Sequence, residues 1–481
     1  MIVLCTLNAK WIHPSLALRL LKANLPGSLI NNCTILEFAL RQPLPEKISA
    51  ILGEKPKILG LSVSIWNHEA TIELLEALEK EWTGSERPVI ILGGPELTPL
   101  PSQAEIFRHA DFIIRGEGEE VFAEMCRTIL LNPQAAQKQF GKFISAKDVN
   151  CVSIKTGYDF YTDEDLRQKL IYVESSRGCP YTCAFCQSAG SHLNPGRGEI
   201  REFPLEPFLK DLGKLLERSK GKTRTIKFLD RSFNAKPERA VQILEFCLAE
   251  AHKAGRQFHF EMVPGFFPAG LKDVLEKFPR ETIRIETGIQ SFNPETNKLI
   301  NRISNPEKEL EVLAFLREKT NVILHADLIA GLPAEDYGSF AEGFDRLWIA
   351  LSSVDSPVPF EIQPGILKIL PGTPLHAAKG KSFEVCYNKN PPYEITETCC
   401  LSMEDIKRIK NFARFWEIIV NRRAFCEAIP RLCPPGKPVF ARFMELSEKL
   451  FMHFGRNYSI PKIELEEMLE TLINHRDFSK A

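Results

Sequence analysis

Short apolar runs alternate with amphipathic stretches along the first 130 residues. The runs at 2–6, 33–38, 57–63, 88–92 and 111–114 have the length and β-branched content of strands buried on both faces of a parallel sheet. Leu16, Leu20 and Leu21 recur at helical spacing behind Pro14, read as a first helical position, and Pro26-Gly27 marks the stop. Leu74, Leu75 and Leu78 mark another helix over 69–82. Five such units predict an α/β fold, a doubly wound, flavodoxin-like open sheet that receives ligands beyond the carboxyl ends of its strands. This domain is assigned residues 1–135, and the aperiodic stretch 136–168 reads as a linker.

The alternation resumes at 171–175, 225–229, 257–261, 283–287, 322–328 and 359–366. Six βα repeats over 169–375 predict a partial (β/α)6 barrel with its active site at the strand carboxyl ends. Four of these strands carry polar residues on one parity: Gln257, His259 and Glu261; Arg284 and Glu286; His325 and Asp327; Glu361 and Gln363. The outer face of a barrel strand packs on helices, so the polar parity is expected to face inward. Buried charges are costly unless paired or bound to a ligand. One reading is therefore an ion-pair network, such as Arg284 with Glu286 or Glu361. The other makes His259, His325 and Glu261 acid/base candidates acting on a polar substrate. Beyond Pro374 the strand signals fade; 403–425 and 462–474 look helical, so 376–481 is read as a mostly helical domain.

Composition narrows the field. With 481 residues, 44% hydrophobic and 26% charged, the chain is globular rather than disordered. Its 61 Lys and Arg balance 62 Asp and Glu, which argues against nucleic acid as the main partner. No apolar run approaches the ~18–20 residues of a membrane span, and no secretory signal shows, so a cytoplasmic location is expected. Thirteen cysteines in such a chain point to ligation, catalysis or core filling rather than to disulfides.

The spacing Cys179-x3-Cys183-x2-Cys186 should arise by chance about 0.01 times in a chain with this many cysteines. It follows the first barrel strand, at the catalytic end. Thiolates at this density hold iron–sulfur clusters or zinc. A Cys3His zinc site completed by His192 is the alternative to a four-iron cluster with one open iron. Cys5, Cys33, Cys126, Cys151 and Cys247 read as core residues. Cys386, Cys399, Cys400, Cys426 and Cys433 gather in the tail, where an auxiliary cluster is the other reading.

The run Arg177-Gly178-Cys179-Pro180-Tyr181-Thr182-Cys183-Ala184-Phe185-Cys186 resembles the signature of the radical S-adenosylmethionine (SAM) superfamily, Phe185 included. The resemblance implies a [4Fe–4S] cluster on the three cysteines that reductively cleaves SAM, oxygen sensitivity, and an electron donor such as flavodoxin or ferredoxin. It also implies SAM contacts at Asp230, although the usual Gly-Gly-Glu is absent there. Further contacts are implied at Glu286, Gln290 and Ser291, and at Asp327 and Gly331.

The first domain lacks Gly-x-Gly-x-x-Gly after its first strand, which argues against a dinucleotide. Standing ahead of such a barrel, it resembles the cobalamin-binding domain of cobalamin-dependent radical SAM proteins, chiefly through Gly93-Gly94-Pro95 followed by Arg115-Gly116-Glu117-Gly118-Glu119. That resemblance implies cobalamin contacts at Asn8, Ser62, Ser64, Trp66, Gly93, Gly94, Pro95 and Glu117. It implies an opening larger than the usual ~300–1,000 Å³ pocket. His13 reads as a helix-entry residue rather than a cobalt ligand. The activity implied is methylation of an unactivated carbon of a small-molecule or cofactor-like substrate, one SAM methylating the cobalamin and a second furnishing the radical. Non-methylating cyclisation or rearrangement, a SAM or cobalamin sensor without turnover, and tRNA modification are the alternatives.

Overall fold

The computed structural model describes residues 1–82, 87–191, 194, 195 and 199–474, and His192 lies outside them. The chain divides into two compact units. The first holds 1–180, 187–231 and 390–392; the second holds 181–186, 232–389 and 393–481.

In the first unit, β1 (Ile2–Asn8), β2 (Cys33–Ala39), β3 (Ile58–Ser62), β4 (Val89–Gly93), β5 (Phe112–Arg115) and β6 (Phe143–Ser145) form one parallel sheet in the order β2-β1-β3-β4-β5-β6. The chain reverses direction of travel across the sheet between β1 and β3, the flavodoxin-like switch point. Apolar side chains bury both faces: Val3, Leu59, Leu61, Ile90 and Leu92 on one, Ile2, Leu4, Ile58, Ile91 and Phe112 on the other. The first helix begins later than Pro14 suggests. Ser15 caps it, its hydroxyl accepting from Leu18 N–H, and the helix runs Leu16–Ala23.

The stretch read as a linker is structured. Pro133–Phe140 is a helix, β6 adds a sixth strand to the sheet, and Asp163–Gln168 is a helix with a capping box on Thr162. Short elements held by tertiary contacts leave too little periodicity to read. Two cations and two anions lock this stretch to the sheet. Arg19 contacts Glu37 at 2.9 Å and Asp165 at 2.7 Å, and Lys169 contacts the same two carboxylates at 2.8 and 3.0 Å. All four side chains are at least 90% buried.

The first unit also contains β7 (Ile171–Val173) and β8 (Ser176–Arg177), the short ladder β9 (Gly190–Ser191) with β10 (Asn194–Pro195), then β11 (Arg201–Glu202) and β12 (Thr225–Phe228). β7 and β12 pair in parallel, whereas β8 and β11 pair antiparallel with Arg177 opposite Arg201.

In the second unit, β13 (Gln257–Glu261), β14 (Ile283–Gln290), β15 (Ile323–Ala330) and β16 (Phe360–Ile366) run parallel in chain order, separated by helices. The tail of this unit is helical, with Met403–Trp416, Phe440–Phe454 and Lys462–Asn474. Its core is aromatic: Phe344, Phe412, Trp416, Phe440 and Phe443 meet at centroid separations of 4.7–5.7 Å. The tail also holds an unforeseen hairpin, β17 (Val385–Tyr387) with β18 (Ile395–Thr398). Gly331 adopts φ +88°, a backbone conformation that favours glycine, and a Cβ there would meet Ile395 Cδ1, the end of a side chain from that hairpin, at 2.0 Å. Among the described residues no helix is long and apolar enough to cross a membrane.

Replacing Arg19 with Met leaves Glu37 and Asp165 sharing one buried lysine. Chemical denaturation should show a loss of about 3–5 kcal/mol at neutral pH. Burial alone would raise both carboxyls, yet their cationic partners lower them, Asp165 to about 2. Folded values below the unfolded ones give stability that is present above pH ~4 and fades as pH falls toward the folded values. In Asp165→Asn the acid arm of the stability curve should flatten.

Candidate functional site

The carboxyl ends of the first sheet open on a cavity of about 690 Å³ whose lining belongs wholly to the first unit. Its wall is apolar, with Leu4, Leu16, Leu18, Leu21, Ile91, Ile114 and Phe122. Its floor is nearly bare backbone, from Gly60, Ser62, Gly93, Gly94, Gly116 and Gly118. Gly94 sits at φ +116°, where a Cβ would lie 2.3 Å from Val63 O, so no other residue fits. The volume falls within the ordinary range for small-ligand pockets rather than above it.

Of the residues read as cobalamin contacts, Ser62, Gly93, Gly94, Pro95 and Glu117 line this cavity. The other three do not. Asn8 is buried with its amide 3.5 Å from Glu37, and Ser64 N–H donates to Asn67 Oδ1 at 2.7 Å. Trp66 is largely exposed, its indole N–H donating to Leu7 O at 3.2 Å. Among the described residues no histidine lines the cavity. His13 Nδ1 lies 2.6 Å from the Tyr172 hydroxyl, and burial together with Lys10 and Lys227 lowers its pKa.

The cavity's rim is charged, a feature that the sequence analysis missed. Arg177 reaches Glu119 at 2.6 Å, Glu174 at 2.7 Å and Glu117 at 3.4 Å. Arg201 grips Glu117 through two contacts, at 2.6 and 2.8 Å, and Val149 N–H donates to the same carboxylate at 2.7 Å. Burial favours neutral Glu117, but Arg201 and Arg177 hold its pKa below the ordinary value. Burial wins at Glu174, whose pKa is raised despite Arg177. The sequence signal was Arg177 itself, beside Gly178 and Cys179.

Residues on both sides of the cysteine motif, Gly178 before it and Gln187 after it, line the same cavity. The approach to Cys179 is rigidly placed. Asp230, buried after β12, accepts from Ser175 N–H at 2.9 Å, Ser175 Oγ at 2.7 Å and Ser176 Oγ at 2.6 Å. Burial raises its pKa against those three donors. Gly178, at φ +91°, leaves no room for a Cβ, which would meet Glu199 O at 2.0 Å.

In the second unit, Ala184 N–H donates to Ile300 O at 2.8 Å and Ala184 O accepts from Leu375 N–H at 2.9 Å, while Cys186 N–H donates to Cys183 O at 3.1 Å. Cys183 is buried; Cys179, Phe185 and Cys186 are half-buried. Among the described residues no set of three His, Cys, Asp or Glu side chains is gathered to hold a single metal ion.

The polar parity of β13–β16 converges as expected. Register sets Glu286 beside His325, and His325 beside Glu361. Glu286 Oε1 lies 3.1 Å from His259 Nε2 and 3.6 Å from His325 Nδ1, and His325 Nε2 lies 3.3 Å from Asp327. Arg284 holds Glu361 through two nitrogens at 2.6 and 3.2 Å and lies 3.0 Å from His325 Nδ1. Burial lowers the His325 pKa, but Asp327 and Glu286 outweigh it and the net shift is upward. Glu261 is half-buried, directly across from Glu286.

The remaining motif residues take structural positions. β14 slips register between Gly288 and Gln290, and Gln290 adopts φ +71°. Ser291 is buried; its hydroxyl donates to Glu335 and accepts from Asn293 N–H at 3.0 Å.

Three family models match the chain: the B12 binding domain over residues 2–126, the radical SAM superfamily over 173–347, and a protein of unknown function, DUF4080, over 381–479. Among curated proteins it is similar to bacteriochlorophyllide d C-12(1)-methyltransferase of Chlorobaculum tepidum, 23% identical over 60% of this chain and 59% of that one. It is also similar to the cobalamin-dependent radical SAM methyltransferase TokK of Streptomyces tokunonensis, 22% identical over 69% of this chain and 50% of that one. The chain thus spans little more than half the length of these relatives. Among solved structures, OxsB with aqua-cobalamin and SAM bound superposes over 98% of this chain and 78% of its own, with TM-score 0.62 and 15% identity. TsrM from Kitasatospora setae, with cobalamin and a [4Fe–4S] cluster bound, superposes over 82% of this chain and 78% of its own, with TM-score 0.59 and 14% identity. At such identities the likeness concerns the fold. By these matches the chain carries a B12-binding domain ahead of a domain of the radical SAM superfamily.

Proposed function

We propose that this protein is a cobalamin-dependent radical SAM enzyme that methylates an unactivated carbon of a small molecule. One observation carries the reading. The glycine-floored cavity at the strand ends of a B12-binding domain is also lined by Gly178 and Gln187, which flank the cysteine motif in the chain. A flat macrocycle needs that bare floor and apolar wall.

Cys179, Cys183 and Cys186 would hold the cluster. Together the cluster, SAM and cobalamin supply one-electron cleavage of SAM, hydrogen abstraction and the methyl group. The chain's own work is to position, to exclude water and to manage protons. Arg177 and Asp230 fix the strand end that leads into Cys179. His259 and His325, joined through Glu286, can hold or release a proton at their imidazole nitrogens toward a polar substrate. The relatives named as methyltransferases support methylation over cyclisation or rearrangement.

The decisive experiment is anaerobic reconstitution with iron, sulfide, hydroxocobalamin and SAM. Bound cobalamin and reductant-dependent 5′-deoxyadenosine are expected, and a chain that forms no 5′-deoxyadenosine would be a sensor. Changing all three motif cysteines to Ala should abolish iron uptake and SAM cleavage while cobalamin stays bound. Gly93→Leu should do the reverse. A Cβ at Gly93 meets nothing closer than 3.7 Å, and Gly93 lines the cavity, so the rest of the leucine is expected to take up cavity space. Equilibrium dialysis should show cobalamin affinity down at least about tenfold, ~1.4 kcal/mol, with iron content unchanged.

His325 gives a pH test. Its folded pKa lies above 6.5, so protonated His325 contributes stability fully below that pH, and the contribution fades as pH rises through the folded value. Asp327→Asn should move the imidazole NMR titration of His325 to lower pH. An unmoved titration would remove Asp327 as its main charge partner.

A further inference from the structure

The second unit carries an adjacent pair of thiols that the chemistry above does not use. Cys399 and Cys400 stand where β18 gives way to the helix Met403–Trp416. Both are exposed, and their sulfurs lie 3.6 Å apart. Backbone hydrogen bonds pin this corner. Thr398 Oγ1 accepts from Cys400 N–H at 3.2 Å and Leu401 N–H at 3.0 Å, and Cys399 N–H donates to Glu384 O at 3.3 Å. An auxiliary metal centre is not what the pair builds, since among the described residues no third ligand joins it.

We propose that Cys399 and Cys400 form a reversible dithiol–disulfide couple that responds to small-molecule disulfides. One thiolate attacks the disulfide, forming a mixed disulfide and expelling one thiol. The neighbouring sulfur then displaces the second thiol and closes an S–S bond between the two residues. Two electrons pass to the small-molecule disulfide that is attacked, and the two protons of the pair end on the two thiols released. The sulfurs need only close from 3.6 Å to a bond of ~2.05 Å.

The ring so formed is strained. Consecutive Cα atoms lie ~3.8 Å apart across a trans peptide, short of the ~4.4–6.8 Å that a disulfide usually spans. Strain and exposure both raise a disulfide's reduction potential, which marks a labile, regulatory bond rather than a structural one. The pair stays reduced under reducing conditions and closes when the thiol poise rises.

Closure also has somewhere to act. It turns the Cys399–Cys400 peptide and so disturbs the hydrogen bonds from both N–H groups. β18, which leads into this corner, places Ile395 against Gly331 just after β15, the strand of His325 and Asp327. A change at the hairpin therefore reaches the loop that follows the polar strand within the same unit.

The test uses the full chain, purified without oxygen and equilibrated in glutathione buffers of rising oxidation, then acid-quenched, alkylated and mapped by peptide mass. The peptide holding Cys399 and Cys400 should lose both alkylation sites together, become lighter by two hydrogens, and recover both with dithiothreitol. In Cys400→Ser, a glutathione adduct should accumulate on Cys399 instead. Independent adducts on both wild-type cysteines would overturn the proposal. So would a bond from either to Cys386 or another cysteine, or two free thiols that persist even where oxidised glutathione is in large excess over glutathione.

Discussion

Burial of Arg177 among Glu117, Glu119 and Glu174 fixes the strand from which the cysteine motif departs. Register places Arg201 directly opposite Arg177, an arrangement of like charges that would be unfavourable alone. The three carboxylates reverse its sign. They outnumber the two guanidinium groups, and burial raises the Glu174 pKa against Arg177, with Glu119 and Asp230 adding to the rise. Removing Arg177 would leave three buried carboxylates with one cation, so the network tolerates loss of its centre least. Because Glu117 and Glu119 lie just after β5, the same charges tie the floor of the cavity to the approach to Cys179.

The second unit uses polar pairing differently. Its strands bury Ile283, Ile285, Thr287 and Ile289 on one parity of β14 and leave Arg284, Glu286 and Gln290 half-buried on the other. Arg284 is spent on Glu361, but Glu286 is shared between two imidazoles, and Asp327 keeps about a third of its side chain exposed. A fully satisfied network would serve only stability. One with a shared acceptor and an open carboxylate can change its proton content at small structural cost, as acid/base work on a bound molecule requires.

Much of this was legible because it follows from period and parity. The buried strands β1–β5 read as apolar runs, and the polar parity of Gln257 to Gln363 needed only alternation to place it on one face. What periodicity could not supply is position set by long-range charge. β6 has three residues, and the ring of Arg19, Glu37, Asp165 and Lys169 joins positions as far as 146 residues apart. Pro14 misled for a local reason: Ser15 offers the helix a hydroxyl cap, which a proline cannot. The hairpin β17–β18 was missed because its strands are short and irregular, with a register shift at Cys386.

The motif residues divide by how many of their polar groups are already taken. A carboxylate offers about four acceptor sites; Asp230 fills three of them with Ser175 and Ser176 and is almost wholly buried. Ser291 gives its proton to Glu335 and accepts from Asn293, and Gly331 supplies a left-handed turn at φ +88° beside Ile395. Groups so engaged reach a ligand only through the backbone they hold. Asp230 sets Ser175 to Gly178, and Ser291 sets the end of the slipped strand β14. Glu286, Gln290 and Asp327 differ, being half-buried on the polar face. The sequence strings that resemble SAM contacts therefore contain two kinds of residue. One kind is open enough to present atoms to a ligand; the other holds the strand ends. Substituting the second kind should disturb folding of the strand ends before it disturbs chemistry, whatever molecule binds there.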